Sequence, residues 1–406
     1  MWQKIARYLD YNAGAGLSPR VKKKITELLV SDDFFLANPS SRHRAGQKIQ
    51  QALFLASEKV AKSLGVQSDD LLFVSSGTEA NQSVIRSHTG FGSRSNLLAE
   101  TAILIGAGEH SASYDLLTEF RAKNAMNVFE LSLLPSGQYD LQNLHSHLAA
   151  ASERGLKKAF LSLFWANNET GVMTNLVELK KVLDSSPIPV SLHLDGAQAW
   201  GKIPTDLKNT PANYVTFSAH KIGAPAGNGV IWMKPHSEFH PLLPGNQGRG
   251  RRGGTENALG ILAMGEAAEE INATAFIEHT LKLRTAFESA LKASGVAVKI
   301  WGEDVSRISN TSRFSFLESS PEGGHQKKPY DNWVELLDLA GFSVSHGSAC
   351  KAQVIEPSRV LLKMGASPVQ ALNSLRISFG PGNTLEDATE CARAIQQIAE
   401  RKSNLS

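Results

Sequence analysis

Between Ser18 and Met233 the sequence alternates between strand-like and helix-like periods, and this limits the fold more than any other feature. Short apolar runs recur at 71–74, 102–105, 128–133, 159–164, 190–194, 214–217 and 230–233. Each is of strand length and mainly apolar on both alternating faces, as expected of strands covered on both faces in a mainly parallel sheet. Ser18-Pro19 reads as an N-cap with proline at the first helical position, and Val21, Ile25, Leu28 and Leu29 share one helix face. Ile49, Leu53, Val60 and Leu64 line a second helix closed by Gly65, and further helices are expected over 140–151 and 176–183. The alternation predicts an α/β fold: a large domain whose mainly parallel sheet is flanked by helices.

Beyond Thr255 the texture changes. Helical patterns over 256–271 and 276–293 lead into mixed strand and helix, which predicts a smaller α+β domain. The expected division is 15–262 for the large domain, with 1–14 and 263–406 in the small one. Residues 319–331 are polar, rich in breakers, and read as a loop or insertion. An apolar fraction of 42% with 20% charged residues excludes disordered and collagen-like chains. No apolar run approaches the ~18 residues of a membrane span. Two cysteines cannot build a disulfide framework, and residues 1–12 lack a signal-peptide core, so a reducing, cytoplasmic address is expected. No histidine pair at zinc-motif spacing is joined to a third ligand, so no metal site is expected.

Three segments carry candidate chemistry, and each has a bland alternative. Ser76-Gly77-Thr78-Glu79 follows the run 71–74 with capping-box spacing, so a helix should start there. Its free N–H groups, Gly77 and the Thr78 hydroxyl suit a phosphate; the alternative is a capped strand-to-helix joint. Asp195 ends the run 190–194, where ligands of parallel sheets bind, although an Asp there also serves as a cap. Lys221, in Ser218-Ala219-His220-Lys221, stands among small residues past another strand end and is suited to a Schiff base, or is a surface lysine. Taken together, a phosphate site, a carboxylate for a ring nitrogen and a lysine amine are the parts a pyridoxal phosphate enzyme needs. Gly248-Arg249-Gly250-Arg251-Arg252-Gly253 has dinucleotide-motif spacing but follows no strand. The same arginines could suggest nucleic acid, yet the formal charge is +3 and no aromatic platform is interleaved, so no nucleic-acid binding is expected.

Nearly the whole chain resembles the NifS/IscS-like cysteine desulfurases of the class V aminotransferase group. The resemblance rests on Tyr8-Leu9-Asp10, Asn38-Pro39-Ser40-Ser41, Ser76-Gly77-Thr78-Glu79-Ala80-Asn81, Glu109-His110 and Ala166-Asn167-Asn168-Glu169. It continues through His193-Leu194-Asp195-Gly196-Ala197-Gln198, Ser218-Ala219-His220-Lys221 and Gly250-Arg251-Arg252-Gly253-Gly254-Thr255-Glu256-Asn257. Gly347-Ser348-Ala349-Cys350, Glu356-Pro357-Ser358 and Leu375-Arg376-Ile377-Ser378 complete it in the family's order. Tyr11 to Ala15 depart from the family's usual Asn-Asn-Ala-Thr-Thr, and Lys351 to Val354 lack its serine-rich character.

The resemblance implies fold type I of the pyridoxal 5'-phosphate-dependent transferases and a homodimer. It implies conversion of L-cysteine to L-alanine, with sulfur left on Cys350 as a persulfide for a sulfur-acceptor protein in iron–sulfur cluster assembly or thiolation. In the implied roles, Lys221 carries the cofactor and shuttles the Cα proton, Asp195 pairs with the pyridine nitrogen, and Gln198 bonds the ring 3-oxygen. His110 stacks on the ring as an acid/base. Gly77, Thr78, Ser218 and His220 hold the phosphate, with Thr255 reaching in from a partner subunit. Arg376 takes the substrate carboxylate, assisted by Asn38 and Asn168. Cys350 sits among small residues between His346 and Lys351, a setting for an activated thiol; Cys391 lies on a helical pattern and is expected in the core. Selenocysteine lyase or aminotransferase chemistry on the same fold is the alternative, and a non-catalytic sulfur relay is the rival of another class.

Overall fold

The structure, a computed structural model, describes residues 7–31, 37–89, 99–122, 127–317, 332–346 and 356–404. Cys350 and the 319–331 segment lie outside the described residues. The strands are β1 (Arg7–Tyr8), β2 (Leu71–Val74), β3 (Thr101–Gly106), β4 (Val128–Leu131), β5 (Lys158–Phe164) and β6 (Val190–Asp195). They continue with β7 (Tyr214–Ser218), β8 (Gly229–Met233), β9 (Val298–Ile300), β10 (Thr311–Phe316), β11 (Phe342–Ser343) and β12 (Ser374–Ser378). Helices α1 (Pro19–Leu29), α2 (Arg44–Leu64), α3 (Gly77–Ser87), α4 (Ser111–Ala122), α5 (Leu141–Glu153) and α6 (Leu176–Asp184) alternate with the first strands. The predicted caps form: Ser18 Oγ accepts from Val21 N at 3.1 Å, and Gly65 closes α2 at φ 69°.

Seven strands make the central sheet in the order β2-β8-β7-β6-β5-β3-β4, parallel except for β8, which runs antiparallel to both neighbours. The connection 219–228 explains the exception, since it is too short for the crossover that a parallel pair requires. Every strand alternates its side chains between two dry layers. Ala102 and Leu104 of β3 join Val60, Leu64, Leu144, Leu148 and Leu179 on one face. Ile103 and Ile105 join Val84, Ile85, Leu116 and Phe120 on the other. This double covering is why the strands read as mainly apolar runs in the sequence.

A second core gathers Leu283, Phe287, Phe314, Leu375, Ile377, Phe379, Ala388 and Ile395 around the antiparallel sheet β12-β10-β9. Cys391 is fully buried in it, as expected, and burial pushes its thiol up. Leu9 belongs to this core as well, and β1 pairs with β11. The helix expected over 256–271 spans Ala258–Glu269, capped by Asn257, and the next spans Ala273–Ala293, capped by Asn272. The expected boundary at 262/263 falls inside the first of these, whose Ala263, Met264, Ala267 and Ala268 lie in the first core. No helix among the described residues is long and apolar enough to cross a membrane.

Candidate active site

Gly77, Thr78, His110, Asn168, Asp195, Gln198, Ser218, His220 and Lys221 stand at or just past the ends of β2, β3, β5, β6 and β7, where a parallel sheet places its ligands, whereas Arg376 lies on β12 and Asn38 and Thr255 lie on other connections. After β2, Ser76 caps α3 by accepting from Glu79 N at 3.0 Å. The reciprocal half of the capping box slips by one residue: the Glu79 carboxylate accepts from Ser75 N at 2.8 Å and pairs with Arg252 at 2.9 Å. That contact accounts for one arginine of the glycine-rich stretch. The other two also serve the fold, Arg249 pairing with Asp69 and Arg251 donating to the Asp69 and Leu71 carbonyls.

The Gly77 and Thr78 amides open the first turn of α3, where no helix carbonyl can accept them. A Cβ on Gly77 would stand 3.1 Å from Ser218 Cβ and 3.4 Å from its Oγ, so the glycine keeps this corner open. Ser218 Oγ in turn bonds His220 Nδ1 at 2.9 Å. Burial, and then the charge of Lys221, lower the His220 pKa to about 4, leaving a neutral ring. The corner thus combines helix N–H groups with hydroxyls and an imidazole, a donor set that matches a phosphate.

Asp195 closes β6. Its Oδ1 accepts from Ala197 N at 2.9 Å and its Oδ2 from Asn81 Nδ2 at 2.7 Å. One oxygen therefore caps its own turn, while the other is aimed from α3, so both readings of this residue are partly realised. Lys221 Nζ donates to the Asn12 and Ala13 carbonyls, each at 2.7 Å, and is half-buried rather than a surface lysine. Gln198 Nε2 shares the Asn12 carbonyl at 3.0 Å. His110 precedes α4, and its Nδ1 accepts from Ala112 N at 3.1 Å, which leaves the proton on Nε2.

Arg376 is 2% exposed. Its Nη2 donates to Asp10 Oδ1 at 2.6 Å and its Nη1 to the Asn168 carbonyl at 2.9 Å. Asn38 is exposed and accepts from Ser40 N in a turn ahead of α2, so among the described residues it is not joined to Arg376. Thr255 is exposed, two residues before the cap of its helix rather than at the helix start. It lines a groove with Ser75, Asn228 and Arg252 whose walls include none of Thr78, Ser218, His220 or Lys221. Backbone bonds join Ser345 to Arg376.

Sequence reasoning left Asn12 and Lys202 without roles. Lys202 is 4% exposed, donates to Asn12 Oδ1 at 2.8 Å and also bonds Gln198 Oε1. Burial, then the charges of Lys221 and Arg376, hold its pKa well below the usual lysine value. The available signal was the i, i+4 spacing of Gln198 and Lys202, which on a tight turn brings the two together.

Glu109 is fully buried and accepts from the Tyr139 hydroxyl at 2.8 Å. Burial, then the negative charge of Asp195, push its carboxyl up to about 8 from the ordinary 4.5. The folded protein therefore holds a proton that the unfolded chain releases, and stability falls as pH rises through that window. Urea midpoints of the apoprotein should decline from pH 4.5 to about 8, and Glu109→Gln, which cannot ionise, should lose much of that slope. An unchanged slope in the variant would refute the assignment.

A family model described as Aminotransferase class-V matches residues 7–390. The chain is 32% identical to the cysteine desulfurase NifS of Azotobacter vinelandii, over 98% of this chain and 94% of that one. It is 30% identical to the cysteine desulfurase IscS of Dictyoglomus turgidum, over 98% and 96%. Among solved structures it is similar to a NifS-like protein from Rickettsia africae, with TM-score 0.81, 28% identity and coverage of 97% and 99%. SspA in complex with cysteine gives TM-score 0.74, 25% identity and coverage of 93% and 100%.

Proposed function

The chain belongs to the aminotransferase class-V family, and from that membership and the cluster around Lys221 we propose that it is a cysteine desulfurase. The observation that carries the reading is the meeting of a lysine amine, a doubly held carboxylate and a phosphate-type donor corner at the strand ends of one sheet. The family is pyridoxal 5'-phosphate-dependent. The residues suit that cofactor: the corner at Gly77, Thr78, Ser218 and His220 for its phosphate, Asp195 for its ring nitrogen, Gln198 for its 3-oxygen, His110 for its ring face. When bound, the cofactor supplies a carbonyl carbon for an amine and a protonated ring that withdraws electrons from the substrate Cα.

The side chains do the rest. Lys221 Nζ, positioned by two carbonyls, takes the cofactor linkage and then moves the proton at the substrate Cα. His110 Nε2 carries a proton at the ring face. Arg376, oriented by Asp10, presents its guanidinium to the substrate carboxylate, with Asn168 beside it. The Cys350 thiolate attacks the sulfur of L-cysteine: the substrate C–S bond breaks, an S–S bond forms on Cys350, and the substrate Cβ gains a proton to become L-alanine. The two sulfurs are oxidised as that carbon is reduced, so no outside oxidant is needed. The persulfide then passes to an acceptor protein, consistent with a role in iron–sulfur assembly. A reducing, cytoplasmic address belongs to the same proposal, because the reaction needs Cys350 as a free thiol.

A homodimer completes the reading, since Thr255 faces a groove apart from its own chain's corner and is free to serve a partner's. The decisive experiment loads the purified protein with pyridoxal 5'-phosphate, adds L-cysteine with a reductant, and quantifies alanine, sulfide and pyruvate. Equal alanine and sulfide are expected. Pyruvate, or amino-group transfer to a keto acid, would overturn the assignment, as would activity confined to selenocysteine.

A further inference from the structure

Behind Asp195 lies a row of buried polar side chains to which the proposed reaction assigns nothing. Ser162 Oγ stands 2.9 Å from His193 Nδ1, and His193 Nε2 stands 3.0 Å from Thr216 Oγ1. Thr216 Oγ1 donates to Asn81 Oδ1, and Asn81 Nδ2 reaches Asp195 Oδ2 at 2.7 Å. All four of these side chains are 4% exposed or less. The contacts come from β5, β6, β7 and α3, so four separate elements converge on one line.

The chemistry of each atom sets the direction of the row. A carboxylate accepts only, so the amide face of Asn81 must turn its N–H to Asp195 and its carbonyl oxygen away. That oxygen can only accept, which commits the single hydroxyl proton of Thr216 to it. Thr216 must then accept from His193, so the imidazole carries its proton on Nε2. A neutral ring with Nε2–H has a bare Nδ1, and Ser162 donates to it. Burial, then the charge of His88, lower the His193 pKa to about 3, in keeping with a neutral ring.

We propose that Ser162, His193, Thr216 and Asn81 form a one-way chain of hydrogen bonds ending on Asp195, which holds that carboxylate aligned toward the cofactor's pyridine nitrogen. Asn81 and Thr216 are positioning residues: they act through Asp195. This rests on the proposed function, because it takes Asp195 as the partner of that nitrogen. Hydrogen bonds aligned head to tail polarise one another, so each donor in the row strengthens the last one at Asp195 Oδ2. Glu109, on the β3–α4 connection, is the titratable group beside Asp195, and it keeps its proton up to about pH 8. His88, stacked on Phe160, is the titratable group facing His193. The Ala197 amide holds the other carboxylate oxygen and is unaffected by changes in the row.

The test uses the holoenzyme carrying cofactor labelled with nitrogen-15 in its ring, and follows the ring-nitrogen chemical shift against pH. Asn81→Leu removes the last donor and should lower the ring-nitrogen titration midpoint by about one pH unit, the scale of a hydrogen bond to a charged group. Thr216→Val should lower it in the same direction by less, and Thr216→Ser, which restores the hydroxyl, should return it to the wild-type midpoint. Should Asn81→Leu fail to fold, the Thr216 pair decides alone, because both variants nearly preserve volume. Coincident midpoints for wild type and Thr216→Val, or equal shifts for Thr216→Val and Thr216→Ser, would overturn the proposal while leaving the desulfurase reading intact. A wild-type protein that takes up no cofactor would overturn both.

Discussion

Lys221→Ala is expected to yield a folded protein that carries no borohydride-reducible cofactor and turns over L-cysteine at least ~10²–10⁴-fold more slowly, the scale of a lost acid–base group. The expectation follows from the position of Nζ. It is anchored at 2.7 Å to two carbonyls of the 10–14 segment, a station that fixes where the amine points. The neighbouring Lys202 cannot substitute, because Asn12 and Gln198 hold its buried amine in place. The phosphate corner at Gly77, Ser218 and His220 is untouched by the change, so cofactor should still bind, without a covalent link. Mass spectrometry after reduction reads the outcome directly. An adduct on Lys202, or on any lysine other than Lys221, would remove the central assignment, and a variant with wild-type turnover would do the same.

Much of this arrangement was legible before any coordinates. The strands covered on both faces announced themselves as mainly apolar runs, with Asp195 ending β6 and Lys221 following β7, its neighbour in the sheet. Local signals of cap and turn placed α1, α2 and α3 correctly, because those depend on residues within four of each other. What sequence could not supply was long-range. Asn12 meets Lys202, Gln198 and Thr311 across contacts 186 to 299 residues apart in the chain, and no local pattern marks such a hub. The resemblance implied Arg376 as the carboxylate receptor but could not show that Asp10 reaches it from the N-terminal segment, an ion pair made by packing between distant parts of the chain. The start of the helix after Thr255 was misjudged by two residues because Asn257 competes as the cap, with a side chain that accepts from Gly260 N at 3.2 Å. The arginines of the glycine-rich stretch suggested ligands by spacing, whereas their partners Asp69 and Glu79 come from elements far upstream.

Cys350→Ser should separate substrate binding from sulfur transfer. The variant should take up cofactor and L-cysteine, shown by a change in visible absorbance on mixing, yet form alanine roughly 10³-fold more slowly or worse, the scale on which loss of a nucleophile acts. A thiolate is both far more accessible near neutral pH than a serine alkoxide and better matched to attack on sulfur. The other cysteine offers no rescue: Cys391 is fully buried in the second core, with its thiol pushed up by burial. Binding should survive because Lys221, Asp195 and the Ser218–His220 pair, which the reading assigns to the cofactor, are unchanged in the variant. The comparison that discriminates between chemistries is selenocysteine, whose heteroatom leaves more readily. Retained alanine formation from selenocysteine alongside lost activity on L-cysteine would place the thiol at the sulfur-transfer step and nowhere earlier. Undiminished activity of Cys350→Ser on L-cysteine would instead show that sulfur leaves without passing to this residue, and the persulfide mechanism would fall even though the cofactor site stood.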